Sequence, residues 1–80
     1  MSNYAPIFFS FGLNEQGAAK AMAKIDSTLG AGYIIVFGDS AIVAFHTSEK
    51  IDNYVQDQMK KAEKILKNEG VTFRKLKFKN

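Results

Sequence analysis

The chain has 80 residues, enough for one domain with a modest hydrophobic core and near the size at which an isolated domain is only marginally stable. It contains no cysteine, which excludes a disulfide framework and every thiolate-based metal or nucleophile site and makes a cytoplasmic location the simplest expectation. The net charge of +3, from 11 basic and 8 acidic residues, is compatible with nucleic acid without indicating it.

The first part of the chain predicts a strand followed by a helix. The run 7–11, IFFSF, is dense in aromatic residues and follows Pro6, which is tolerated at the first position of a strand. Asn14 suits the N-cap of the next helix, with Glu15 in its first turn. This helix ends at the glycine-rich run 29–32, and its apolar face consists of Ala18, Met22, Ile25 and Leu29.

The run 33–45, YIIVFGDSAIVAF, has two apolar, β-branched stretches around Gly38 and Asp39, a pattern typical of a tight β-hairpin. With a two-residue turn, alternation places one set of side chains on a common face: Tyr33, Ile35, Phe37, Ser40, Ile42, Ala44 and His46. The other face then carries Ile34, Val36, Ala41, Val43 and Phe45. Since both faces are apolar and helices normally cover only one, we expect a partner to cover the other.

A second helix follows, capped by Thr47 or Ser48, with acid-then-base pairs four residues apart on its solvated side. Gly70 suits the position just after this helix, with Val71 folding back on the last turn. The apolar stripe of the helix consists of Ile51, Val55, Met59, Ala62 and Leu66. The charge pairs are Asp57 with Lys61 and Glu63 with Lys67.

The last predicted strand, 71–79, alternates apolar and basic residues. If Leu76 and Phe78 enter the core, a row of lysines shares the open face of the sheet with aromatic rings: Lys75, Lys77 and Lys79 beside Phe8, Tyr33 and Phe37. Cations interleaved with aromatics suit single-stranded nucleic acid, and Arg74 adds a further phosphate contact. Such binding is expected to be weak and salt-dependent. The alternative is that the lysines protect an edge strand from aggregation.

The order strand, helix, strand, strand, helix, strand predicts a single ferredoxin-like βαββαβ domain over residues 1–80. We expect an α+β fold with a four-stranded antiparallel sheet, the first and third strands central and both helices on one face. No run is apolar enough to cross a bilayer and no signal peptide is visible, so we expect no membrane association.

Reactive side chains do not gather in any recognisable pattern, so we expect no catalytic site, no cofactor and no metal site. The carboxylates fall in turns, in first helical turns or on solvated helix faces, and none pairs with another as an acid/base couple. His46 is the only histidine and is interpreted as an ordinary residue at a sheet edge.

Two stretches resemble known families. The run 40–50, SAIVAFHTSEK, resembles the third strand and following helix of an RNA-recognition motif, and 7–9 resembles its first strand. In that family the third strand carries stacking aromatics where Ser40 and Ile42 stand here, and Phe8 alone matches.

Residues 7–55 resemble the small CRISPR-associated endoribonucleases and their VapD-like relatives, which are ferredoxin-like and usually dimeric. Within the run 10–14, SFGLN, Gly12 occupies the place of their metal-binding aspartate. We therefore expect no hydrolysis of RNA or DNA on addition of magnesium or manganese.

Taken together, the sequence predicts a non-enzymatic binding or regulatory module that forms a homodimer through its sheet and binds a protein or nucleic-acid partner. The predicted interface residues are Phe8, Tyr33, Ile35, Phe37 and Ile42, and the predicted nucleic-acid contacts are Arg74, Lys75, Lys77 and Lys79. Both uses draw on the same face, and we expect the dimer to win because Ile35 and Ile42 gain from apolar burial. The alternatives are a metal-dependent nuclease-like protein acting on RNA or DNA and a stand-alone viral or mobile-element inhibitor of another protein.

Overall fold

A computed structural model describes residues 7–30, 32–45 and 53–77. In chain order the elements are β1 (Ile7–Gly12), α1 (Ala18–Leu29), β2 (Ile34–Phe37), β3 (Ser40–Phe45), α2 (Asn53–Asn68) and β4 (Phe73–Lys77). The strands form one antiparallel sheet in the order β2-β3-β1-β4. The predicted ferredoxin-like α+β fold, with β1 and β3 central, is therefore confirmed. Within the described ranges, no helix is both long enough and apolar enough to span a membrane.

The core lies between the two helices and one face of the sheet. Alternate residues of β1, from Ile7 through Phe9 to Phe11, are buried on this face, and the Phe9 and Phe45 ring centroids lie 5.3 Å apart in an edge-to-face contact. Burying each such side chain stabilises the fold by roughly 1.5–3 kcal/mol. From the helices, the buried apolar side chains are Ala18, Ala21, Ile25, Leu29, Ala62 and Leu66.

The central hairpin has the predicted turn. Phe37 pairs with Ser40, which leaves Gly38 and Asp39 as the two turn residues. Gly38 has φ +52°, and no described residue other than glycine has a positive φ, so the turn matches type II′, which takes glycine first. This register places Ala41, Val43 and Phe45 in the core, as alternation predicts.

The start of α1 was predicted too early. The helix begins at Ala18, after turns that follow β1, and its N-cap is Gly17 rather than Asn14. Gly17 has φ +92°, and a Cβ there would collide with the carbonyl oxygen of Glu69. The Glu15 carboxylate accepts a hydrogen bond from the Thr72 backbone N–H at 2.7 Å. Helix α1 thus begins without a side-chain cap, at a position where the β1–α1 turns pack against the α2–β4 turn.

The end of α2 is as predicted. Gly70 (φ +72°) donates its N–H to Lys67 O at 3.1 Å, and the Val71 N–H reaches Leu66 O at 2.9 Å, the two bonds of a Schellman motif. Val71 is buried against the helix it follows. The predicted pairs are also present, Asp57 with Lys61 at 3.1 Å and Glu63 with Lys67 at 3.7 Å. The predicted cap at Thr47 or Ser48, with His46 and Ile51, lies outside the described residues.

Candidate functional site

Within the described residues, one face of the sheet has no helix packed against it, and we call it the open face. Because residues paired across antiparallel strands share a face, the register assigns Phe8, Ser10, Ile35, Phe37, Ser40, Ile42, Ala44, Arg74 and Leu76 to this face. Arg74 is its one charged residue within the described part of the chain. Both helices lie on the other side, so the predicted two-sided apolar character of the hairpin is confirmed.

Three of the four exposed large hydrophobic residues in the described ranges lie together on β2, the outermost strand next to β3, and the fourth is Tyr54 on α2. Ile35 is 43% exposed, Val36 52% and Phe37 61%, and we call these three residues the β2 edge. Ile35 and Phe37 lie on the open face, whereas Val36 lies on the helix side. No strand in the described ranges pairs with the outer side of β2, so its backbone groups are unpaired there as well. Within the described ranges, the β2 edge therefore exposes side chains on both faces of the strand and backbone groups on its outer side, whereas Ile34 at the start of the strand packs against the core.

Tyr33, predicted on the open face, lies on the helix side instead. Its ring centroid is 5.9 Å from that of Phe45, a core residue. The strand begins only at Ile34, so alternation does not extend back to Tyr33. Its ring packs at the β2 end of a cavity of about 300 Å³ that Tyr54 and Gln58 of α2 also line.

This cavity contains a polar cluster that was not predicted from the sequence. Gln58 is 5% exposed and donates from Nε2 to the Tyr54 hydroxyl at 2.9 Å. Burial raises the pKa of the Tyr33 hydroxyl above its ordinary value, and the neighbouring Tyr54 hydroxyl adds to the shift. The burial of Gln58 could have been predicted from its position in α2. It lies three residues after Val55 and four before Ala62, on the apolar stripe of the helix.

The lysines of β4 also lie on the opposite face from the one predicted. Lys75 pairs with Phe9 and Lys77 with Ile7, both core residues, so these lysines point to the helix side. Leu76 pairs with Phe8 and lies on the open face. At the sheet edge the helices cover β4 incompletely, and the lysine side chains reach past the core to solvent. Lys79 and Phe78 lie outside the described residues.

On the helix side, Lys75 and Lys77 line a groove together with residues of α2. The groove has a volume of about 310 Å³, and α2 contributes Gln56, Met59, Lys60 and Glu63 to its wall. We call it the basic groove. The rings of the open face and the lysines of β4 therefore lie on opposite sides of the sheet.

Gly12 ends β1 opposite Ser40, and the next residue, Leu13, donates its N–H to Asp39 O at 2.8 Å. Within the described ranges, no group of three or more His, Cys, Asp or Glu side chains is placed to hold a metal ion.

The chain matches no protein-family model, and no curated protein matches its sequence. The candidate sites are thus defined by two surfaces, the β2 edge and the basic groove.

Proposed function

We propose that this chain is a non-enzymatic binding module that associates with a second copy of itself through the β2 edge. The observation that carries this is the exposure of three consecutive apolar residues on an outermost strand, Ile35, Val36 and Phe37. A partner lying on the open face alone would leave Val36 uncovered. A partner strand paired edge to edge gives cross-strand contacts to side chains on both faces and satisfies the outer backbone groups.

A second copy suits this edge because of its symmetry and its charge. Two β2 strands related by a two-fold axis pair antiparallel, so each presents the same residues to the other. The edge carries no charged side chain. Asp39, in the turn after β2, lies at the opposite end of such a pair from its counterpart, so the two carboxylates do not meet. A small domain buries a smaller fraction of its surface on folding than a large one does, so surface buried at a dimer interface adds proportionately more to its stability.

This interface overlaps in part with the one predicted from the sequence. Ile35 and Phe37 belong to both, and Ile42 pairs directly with Ile35 on the neighbouring strand, at the margin of an edge interface. Phe8 lies two strands further in, on β1. Val36 is new to the interface, because alternation places it on the face opposite Ile35 and Phe37, which was expected to be covered by the helices.

Sedimentation equilibrium across the micromolar range tests the proposal. We expect the unmodified chain to sediment at twice its mass of 8.9 kDa. Phe37→Lys should sediment as a monomer, because it replaces an apolar cross-strand contact with a charge, and lysine on an edge strand opposes pairing. Ala23→Lys is the matched control, since it adds the same charge at an exposed position of α1 and should leave the dimer intact.

Two results would contradict self-association through this edge. One is a monomeric unmodified chain throughout the range. The other is a Phe37→Lys variant that dimerises as tightly as Ala23→Lys. Circular dichroism of each variant checks that the helical signal, and so the fold, is retained.

A further inference from the structure

We propose that the basic groove binds the phosphate backbone of nucleic acid. Three lysines line it, Lys75 and Lys77 from β4 and Lys60 from α2, and all three are exposed. This inference goes beyond self-association and does not depend on it, because the groove lies on the helix side at β4 and the β2 edge lies at the other end of the sheet.

The charge of the groove is largely uncompensated. None of the three lysines forms an ion pair with another described residue. Glu63 also lines the groove, but its carboxylate is 3.7 Å from Lys67 Nζ and is partly neutralised by it. The groove therefore presents a net positive charge to an incoming anion.

The spacing of the lysines suits a chain of phosphates. Lys75 and Lys77 are two residues apart on one face of a strand, which separates their Cα atoms by about 7 Å. This is close to the separation of successive phosphates in an extended strand of nucleic acid. Lys60 supplies a third cation from across the groove. Ammonium groups act as point charges and bind phosphate oxygens without strict directional demands.

The floor of the groove favours nucleic acid over a protein partner. Ile7 and Phe9 line it but are only 2% and 1% exposed, so the apolar surface that the groove offers comes mainly from the half-buried Met59 on its wall. Protein interfaces draw most of their affinity from apolar and aromatic anchors, whereas contacts made by charge alone are typical of sequence-independent nucleic-acid binding. Because the open-face rings lie on the other side of the sheet, base stacking does not contribute, and dimerisation and backbone binding no longer compete for one surface.

Fluorescence anisotropy with a short, labelled, single-stranded oligonucleotide of mixed sequence tests this. We expect binding at ~50 mM salt that weakens steeply towards ~200 mM, with a slope of log K against log salt of about −2 for three phosphate contacts. The double variant Lys75→Gln/Lys77→Gln should bind at least tenfold more weakly at low salt. The slope of its log K against log salt should be smaller in magnitude by about 1.4, because two phosphate contacts are lost. The matched control Lys20→Gln/Lys61→Gln removes the same charge outside the groove and should retain the slope.

Four results would overturn the assignment: no binding at ~50 mM salt, an equal loss in the two double variants, displacement of the oligonucleotide by polyglutamate as effectively as by unlabelled oligonucleotide, or tighter binding to anionic vesicles. The first two reject the groove as the site, and the last two identify an acidic protein or a membrane surface as its ligand.

Repeating the titration with Phe37→Lys separates the two proposals. Oligonucleotide binding that is unchanged in this variant supports the groove whatever its oligomeric state.

Discussion

The two edges of the sheet differ in how they are protected. β4 presents Arg74 on the open face and Lys75 and Lys77 on the helix side, whereas β2 presents Ile35 and Phe37 on the open face and Val36 on the helix side. An exposed edge strand is a template for another strand, and lysine on the edge is a common means of preventing that pairing. The protein thus blocks one edge with charge and leaves the other apolar. The difference supports the proposed pairing at β2 rather than at β4.

The same comparison supports the proposal that a polyanion binds at β4. A second copy paired at β4 would bring like charges opposite one another, which is destabilising. A phosphate backbone meets those cations favourably and needs no strand pairing. The two edges therefore suit different partners, and each of the following changes alters one edge while the other serves as reference.

The largest effect is expected from charging β2 on either face. Ile35→Lys and Val36→Lys lie on opposite faces of the strand, and each should weaken the dimer by ~2 kcal/mol or more, roughly 30-fold in Kd, because an edge partner contacts both. Sedimentation equilibrium measures this, with Thr28→Lys on α1 as the control. If Ile35→Lys dissociates the dimer and Val36→Lys does not, the partner lies on the open face instead.

Next in size is the converse change, making β4 apolar. Lys75→Val/Lys77→Val removes the charge that protects this edge, so the chain would have two apolar edges. We expect species larger than a dimer, because each copy can then pair on both sides. Light scattering after size-exclusion chromatography detects them. A double variant that remains strictly dimeric would show that charge on β4 is not what blocks pairing there.

A smaller effect is expected at the turn that joins β2 to the sheet. Gly38→Ala places a Cβ on a residue with φ +52°, which should cost about 1–2 kcal/mol of unfolding free energy. Gly12→Ala is the matched control, since its φ is not positive and nothing lies within 4 Å of its added Cβ. Urea denaturation compares the two variants. Equal stability of both would mean that the positive φ at the turn carries no cost.

The smallest effect concerns pH and Tyr33, just before β2. Burial first, and then the Tyr54 hydroxyl, raises its pKa above 10.0 in the folded chain, so the neutral form favours folding. This contribution is fully present below pH 10.0 and is lost as pH rises through the folded pKa. Above pH 10.0, the unfolding free energy of the Tyr33→Phe variant should therefore fall less steeply with pH than that of the unmodified chain. Urea denaturation at a series of pH values measures this. An identical pH dependence in the variant would contradict this.

Features that depend on residues close together in the chain were predicted well. The turn at Gly38 and Asp39 and the helix end at Gly70 and Val71 are as expected, because backbone conformation and hydrogen bonds within a few residues decide them. The ion pairs of α2 follow from helical spacing in the same way. The start of α1 was wrong because Gly17 is selected by its approach to the Glu69 carbonyl, far along the chain.

The sequence by itself determined which elements form, their order and which residues alternate with which. Only the tertiary structure decided which side of each strand the helices cover. Alternation predicts that Lys75 and Lys77 share one face of β4 and that Leu76 lies on the other. The pairing of Lys75 with Phe9, a core residue, places the lysines on the helix side. In the same way, packing against Phe45 decides where the Tyr33 ring lies. The physical reason is that a period of two fixes relative orientation along a strand, while absolute orientation depends on contacts with residues distant in the chain.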